Sequence, residues 1–208
     1  MAGLFIVLEG GEGSGKTTQA RLLYTRLMQR GLSPLLLHEP GGTPLGEQVR
    51  QLLGADRREA GMEPMTELLL FSAARAELVA KVLRPALEEG RTVICDRFTP
   101  STFAYQGYAR GLPLDTIAAL SRFATGGLKP DLVALLDLPP EEGLRRKSED
   151  ERQRFEREPL AFHRKVRKGY QEQAAADPAR WLVVDGSLPP ERIAEVVWER
   201  VEGMLNKA

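Results

Sequence analysis

Eight consecutive residues, Gly10-Gly11-Glu12-Gly13-Ser14-Gly15-Lys16-Thr17, fit the spacing G-x-x-x-x-G-K-[ST]. The chemistry of that spacing runs largely through the main chain. Glycines let successive N–H groups turn inward on phosphate oxygens, and a helix beginning at the lysine adds the positive end of its dipole. Lys16 then reaches the β- and γ-phosphates of a bound nucleotide, the Thr17 hydroxyl ligates Mg²⁺, and Thr18 completes the phosphate-binding run. Context separates such a P-loop from an idle glycine-rich turn. Leu4 to Leu8 is an apolar run that reads as a short buried strand, while Ala20, Leu23, Tyr24 and Leu27 recur at helical spacing. Strand, glycine loop and helix therefore follow in the order the motif requires.

Other residues qualify by type and position. Asp96-Arg97 directly follows the apolar run Thr92 to Cys95. A carboxylate there holds Mg²⁺ in phosphoryl-transfer sites, and the adjoining guanidinium makes a second phosphate clamp; standing alone, a strand-end aspartate caps the next element. Phe71 and Arg75 lie four apart on one predicted helix and so share a face. A ring stacked on a base with a guanidinium at its edge suits a pyrimidine O4 acceptor, whereas cytosine carries an amino donor there. By spacing alone, however, Phe71 reads as core and Arg75 as solvated. Tyr105 and Gln106 could wall off a sugar and pair with a base edge, but surface packing is the plainer expectation. Arg145, Arg146, Arg152, Arg154 and Arg157 crowd a charge-dense stretch. Such runs are usually solvated. Phosphoryl transfer nevertheless needs cations on the transferred group, and the P-loop holds no arginine, so a mobile lid over about residues 145–158 would supply them.

The elements that must position these residues follow from periodicity. Further buried strands are predicted at Pro34 to Leu37, Thr92 to Cys95, Leu132 to Leu136 and Trp181 to Val184, each separated from the next by a helical pattern. Gly31 suits the end of the first helix, Thr43-Pro44 suits the start of the second, and Pro85 interrupts or restarts the third. Five apolar strands alternating with helices imply an α/β fold with a parallel sheet covered on both faces. Ligands of such folds sit beyond the carboxyl ends of the strands, so the loops at Gly10, Glu39, Asp96 and Asp137 are expected to share one crevice.

Length and composition bound the rest. The 208 residues match one large domain. Lys+Arg and Asp+Glu balance at 29 each, so no overall field recruits nucleic acid or an anionic membrane. One cysteine, Cys95, excludes an intrachain disulfide and fits a reducing compartment. With no signal-peptide pattern and no apolar run long enough for a bilayer, a cytoplasmic location is expected.

Taken together, the chain resembles thymidylate kinase of the bacterial type from its first strand to its last helix. The resemblance rests on Phe5-Ile6-Val7-Leu8-Glu9-Gly10 leading into the P-loop, Glu39-Pro40-Gly41-Gly42-Thr43, Leu70-Phe71-Ser72-Ala73-Ala74-Arg75, Asp96-Arg97-Phe98 with Ser101, Ala104-Tyr105-Gln106-Gly107 and Arg154-Phe155-Glu156. It implies a P-loop NTPase fold, ATP- and Mg²⁺-dependent phosphorylation of thymidine 5′-monophosphate (dTMP), and a homodimer. It further implies that Thr17 and Asp96 serve the metal, that Phe71 stacks on thymine, and that Arg75 and Gln106 read its edge. Tyr105 would crowd the ribose 2′ position and Arg97 with Arg50 would hold the acceptor phosphate, with Glu39 and Ser101 in the same site. Glu12 would contact the deoxyribose or a lid arginine, and Arg154, with Arg145 or Arg152, would serve catalysis from the lid. His38 and Gln153 depart from the residues many relatives carry there. Two other readings are a kinase for a different monophosphate or nucleoside, which Phe71, Arg75 and Gln106 disfavour, and a GTP-hydrolysing switch. The switch reading lacks an Asn-Lys-x-Asp stretch, since Asn206 is the only asparagine.

Overall fold

The computed structural model describes residues 3–54, 61–146 and 154–206. Arg152, and half of the segment expected to form a lid (147–153), lie outside those residues.

Strand β1 (Phe5–Glu9) is followed by helix α1 (Lys16–Gln29), and strand β2 (Leu35–His38) by α2 (Pro44–Gly54) and α3 (Pro64–Leu78). A wide π-helical turn, Val79–Leu83, joins α3 to α4 (Arg84–Glu88), where Pro85 leaves the ordinary helical ladder short of a donor. Strand β3 (Val93–Asp96) leads to α5 (Thr99–Thr102) and a second π-helical turn, Phe103–Ala109. The chain continues through α6 (Leu114–Thr125), β4 (Leu132–Asp137), α7 (Pro140–Arg145), α8 (Leu160–Ala176), β5 (Trp181–Asp185) and α9 (Pro190–Leu205). All strand pairs are parallel, in the order β2-β3-β1-β4-β5.

Each apolar run reads as uniformly hydrophobic because both faces of the sheet are covered, yet the pleat still divides it. Ile6 and Leu8 turn to one side, with Ile94 and Ala134, against Leu23 and Leu27 of α1 and Val197, Trp198 and Val201 of α9. Phe5 and Val7 turn to the other, with Val93 and Cys95, against Leu78, Val79, Leu83 and Phe98. Phe98 meets Phe5 edge to face at 5.0 Å. A third cluster packs Tyr105 and Leu135 on Phe162, Val166 and Tyr170 of α8.

The strands end one residue later than the apolar runs predict. Each finishes on a polar side chain: Glu9, His38, Asp96, Asp137 and Asp185. The ladder continues past the last hydrophobic residue, pairing Leu8 and His38 with Asp96 and Asp137 with Asp185. Because the strands are parallel, all five polar ends lie on one edge of the sheet.

Local signals at the helix ends behave as their chemistry dictates. Thr43 Oγ1 accepts the Gly46 N–H at 3.0 Å, capping α2. Gly31 has φ +76°, its N–H reaches Met28 O and the Leu32 N–H reaches Leu27 O, which is a Schellman ending for α1. A Cβ at position 31 would meet no neighbouring atom within 4 Å. Gly31→Ala should therefore lose about 1–2 kcal/mol from backbone strain alone, read as a lower urea midpoint at constant m-value; an unchanged midpoint would show that this turn rearranges freely.

Candidate active site

Beyond the polar edge of the sheet lies a cavity of about 680 Å³ lined by residues from the P-loop, the β2 and β3 ends, α2, α3, the second π-helical turn and the 154–156 segment. Its contents follow from where each strand stops.

The P-loop wraps tightly. Ser14 Oγ donates to Gly11 O at 2.9 Å, and Lys16 Nζ donates to the same carbonyl at 2.8 Å and reaches Ser14 Oγ at 3.3 Å. Lys16 is only 7% exposed. Burial, reinforced by the charge on Arg97, lowers its pKa to about 8, against the pull of Glu12, Asp96 and Glu9. Gly13 has φ +68°, and a Cβ there would stand 2.1 Å from Gly143 O of α7. Helix α7 thus closes over the loop where a side chain would otherwise project, so an arginine has no room at position 13. Thr17 Oγ1 donates to Asp96 Oδ2 at 2.5 Å, joining the start of α1 to the end of β3.

Arg97 follows Asp96 with φ +73°, the one non-glycine in the left-handed region among the described residues. Strain of this kind, worth about 1–3 kcal/mol, persists only where the surroundings hold it. Here they do. Its Nη1 donates to Gly10 O, Ser101 Oγ and the Tyr170 hydroxyl at 3.1–3.2 Å, and its Nη2 to Glu12 Oε1 at 2.8 Å and the Tyr105 hydroxyl at 3.1 Å. Burial opposes the charge on Arg97, but Tyr105, Glu12, Tyr170 and Glu9 outweigh it and hold the guanidinium well above its ordinary pKa. Glu12 also accepts from the Tyr105 hydroxyl at 2.6 Å. Behind them Glu9, fully buried, accepts the Phe98 N–H, the Ser101 hydroxyl and the Tyr170 hydroxyl at 2.7–2.9 Å. Burial raises its pKa, and Arg97 and these donors pull it back.

Toward α3 the polarity alternates again. Arg75 is 1% exposed: Nε donates to Glu39 Oε1 at 2.6 Å and Nη2 to Thr102 Oγ1 at 2.9 Å, while Nη1 is buried without a partner. Burial pushes Glu39 up to about 7 in spite of Arg75 beside it. Phe71, one helical turn earlier, is half-buried on the cavity wall, with the Phe155 ring 6.2 Å away. Neither residue fits the plainer reading of its spacing: Arg75 is not solvated, and Phe71 is not sealed in the core. Tyr105 and Gln106, expected on the surface, are both buried. Exposed Arg50 lines the cavity and donates to Pro40 O at 3.0 Å, and His38 contacts Glu47 Oε1 at 3.0 Å.

The arginines of the charge-dense stretch part ways. Arg146, one of the five arginines of that stretch but given no role by the resemblance, donates to Gly13 O at 3.1 Å, Glu142 Oε1 at 2.8 Å and Gly186 O at 3.2 Å, spanning the P-loop and the loop after β5. Arg145 is exposed, bonds only Glu141 O of its own helix at 3.2 Å among the described residues, and does not line the cavity. Arg154 lines the cavity, but its guanidinium is held by Glu67 Oε2 at 2.5 Å and Leu53 O at 3.3 Å rather than by the P-loop. Asp137, expected in the common crevice, instead receives both arms of Arg167 at 2.7 and 2.9 Å and turns to α8. Sequence reasoning also passed over the supports Glu67, Thr102 and Tyr170 and gave Glu9 no role. A carboxylate closing an apolar strand just before a P-loop was the available signal for Glu9; the others carry none without the fold.

A P-loop at the carboxyl edge of a five-stranded parallel sheet, opening into one large cavity, defines a protein of the P-loop NTPase fold. Known proteins narrow this further. The family model described as thymidylate kinase matches residues 8–197. A thymidylate kinase of Thermomicrobium roseum is 51% identical over 205 residues, covering 98% of this chain and 96% of its own. One from Dehalococcoides mccartyi is 47% identical over 202 residues, with 97% of each covered. The crystal structure of thymidylate kinase from Ehrlichia chaffeensis superposes with a TM-score of 0.77 at 31% identity, covering 97% of this chain and 100% of that one. The chain belongs to the thymidylate kinase family.

The buried Lys16 sets a pH dependence. Folded, it releases its proton near pH 8; unfolded, near its ordinary 10.5. Between those values the unfolded chain binds more protons, so this lysine makes stability rise with pH, and below about 8 its buried charge is destabilising. Lys16→Met should therefore be more stable than the parent at pH 7 by on the order of 2–3 kcal/mol, with the gap closing toward pH 10. Urea titrations of both proteins at the two pH values measure it; a gap that stays constant would show that Lys16 is not desolvated.

Proposed function

We propose that this protein transfers the γ-phosphoryl group of ATP to dTMP. The observation that carries the reading is a single cavity with a P-loop at one end and, at the other, an aromatic wall beside a buried guanidinium whose Nη1 has no partner. A buried unsatisfied donor costs roughly 1–3 kcal/mol, and an acceptor on a bound base removes that cost. Thymine offers O4 to Arg75 while its ring lies on Phe71; cytosine would set an amino group against the same donor.

The chemistry asks for no side-chain base. A phosphate monoester has its second pKa near 6 and is mostly dianionic at neutral pH, so its oxygen attacks without losing a proton to the protein. What remains is to bring two anions into line and neutralise the charge that develops. Lys16 and the P-loop N–H groups hold the donor phosphates, and Arg97 with Arg50 holds the acceptor phosphate. Arg97 arrives already oriented by Glu12, Tyr105 and Tyr170, so little reorganisation accompanies reaction. Tyr105 crowds the sugar near its 2′ position, and Ser101 and Glu39 support the same side of the site.

The residues present suit Mg²⁺. Thr17 Oγ1 and Asp96 Oδ2, in contact at 2.5 Å, offer hard oxygen donors, and no cluster of three or more His, Cys, Asp or Glu able to hold an ion occurs among the described residues. That donor set matches an ion that keeps most of its shell for water and substrate phosphates. When bound, it neutralises charge on the transferred group.

Arg146, already on the P-loop, supplies a cation at the donor end. Arg154 acts as part of a lid, exchanging its place on Glu67 for the transferred phosphoryl group as the 145–158 segment closes. The whole chain acts as one domain. A homodimer is supported by unpaired apolar surface: Met65 and Leu69 are exposed on α3, and Leu114 and Phe123 on the α6 helix that packs beside it, Phe123 to 82%. No helix among the described residues is long and apolar enough to cross a membrane, and the enzyme works in the cytoplasm.

With ATP and Mg²⁺, dTMP should be phosphorylated far faster than the cytidine, adenosine or guanosine monophosphates, measured as kcat/KM in one coupled assay; equal turnover of any of these would refute the substrate assignment. Arg154→Ala should lower kcat by about 10²-fold or more with a smaller change in the KM for ATP. An unaltered kcat would move that role to another arginine.

A further inference from the structure

Glu67 is completely buried on α3. Its Oε1 accepts the Gln106 Nε2–H at 2.7 Å, its Oε2 accepts Arg154 at 2.5 Å, and Arg110 approaches both oxygens at 3.4 Å. The chemistry above uses it only as the resting place of Arg154. Gln106 is 1% exposed, lines the cavity, and forms no other hydrogen bond through its side chain among the described residues.

An amide has two ends of nearly equal shape and opposite polarity, and a buried glutamine can in principle present either. A carboxylate surrounded by donors accepts and does not donate. Glu67 therefore takes the NH₂ end of Gln106 and leaves Oε1, an acceptor, for the cavity. Glu39 does the corresponding thing to Arg75, binding Nε and leaving the Nη1 donor unpartnered. The cavity thus presents one donor and one acceptor, each fixed by a carboxylate behind it. The 4-oxo and N3–H groups of thymine complement that pair, while the 4-amino and bare N3 of cytosine oppose it at both positions.

We infer that Glu67 is a positioning residue for base selection: by holding the NH₂ end of Gln106 it fixes an acceptor against N3–H and so excludes cytosine. The inference rests on the dTMP reading above. In Glu67→Gln the position-67 side chain donates as well as accepts, and Gln106 is free to invert. The preference for dTMP over dCMP, as a ratio of kcat/KM values, should fall at least about tenfold, with thermal unfolding confirming a folded variant. Gln106→Ala should collapse the same ratio, and adding Glu67→Gln to it should change the ratio no further. A purely structural role would lower both substrates together and leave the ratio intact, which would overturn the inference. If Gln106→Ala itself leaves the ratio intact, the base reading fails, and this inference with it; if only Glu67→Gln does, the base reading stands and Glu67 is not its support. Should Glu67→Gln not fold, NMR on the unmodified protein decides: with ¹⁵N-labelled dTMP, N3 should couple through its hydrogen bond to the Gln106 side-chain carbonyl carbon, and no such coupling at saturation would overturn the inference.

Discussion

Cations that wait for an anion inside a protein must have counterions of their own, and the rest of this site is arranged to satisfy that requirement. A buried guanidinium without a partner is strongly unfavourable. Three cavity arginines that are largely withdrawn from solvent are accordingly matched with carboxylates: Arg97 with Glu12, Arg75 with Glu39, Arg154 with Glu67. The pairing keeps charge balanced locally, in a chain whose total is also balanced. It also orients. A guanidinium donating on one side to a fixed carboxylate can turn only its other side to a ligand, so the partners that make burial tolerable also aim the donors.

The fold makes such pairing possible by its handling of strand ends. Parallel strands send their carboxyl termini to a common edge, and the hydrogen-bond ladder carries each strand one residue beyond its apolar run. That places Glu9, His38 and Asp96 side by side where the hydrophobic layers stop. The residues after His38 and Asp96, Glu39 and Arg97, then line the cavity. The backbone at Arg97 is left-handed, and the five contacts made by its guanidinium hold it in place.

Two arginines from one charge-dense stretch serve opposite ends of the cavity. Arg146 closes α7 against the P-loop, while Arg154 reaches α3 and the end of α2. The dock at Arg154 is the same carboxylate that holds Gln106. Gln106 and Arg154, 48 positions apart in the chain, therefore meet on one buried group.

The amino-acid sequence alone determined the P-loop, the five strands and their alternation with helices, because these rest on local spacing: glycines, a lysine and a threonine at fixed intervals, and apolar runs of strand length. It also determined the helix ends at Gly31 and Thr43, where one residue's conformation or hydroxyl decides. The assignments of Phe71, Arg75, Tyr105 and Gln106 came from resemblance, since their spacing alone pointed to core or surface. Only the tertiary structure decided the strand order, the burial of Arg75, the departure of Asp137 to Arg167, and the separation of Arg146 from Arg145. It alone exposed Glu67, whose partners come from residues 39 and 87 positions away along the chain. The physical reason is common to all of these. Local pattern fixes which residues share a face, but a buried charge chooses its partner from whatever the packed elements bring within reach, and that distance is written in no stretch of sequence.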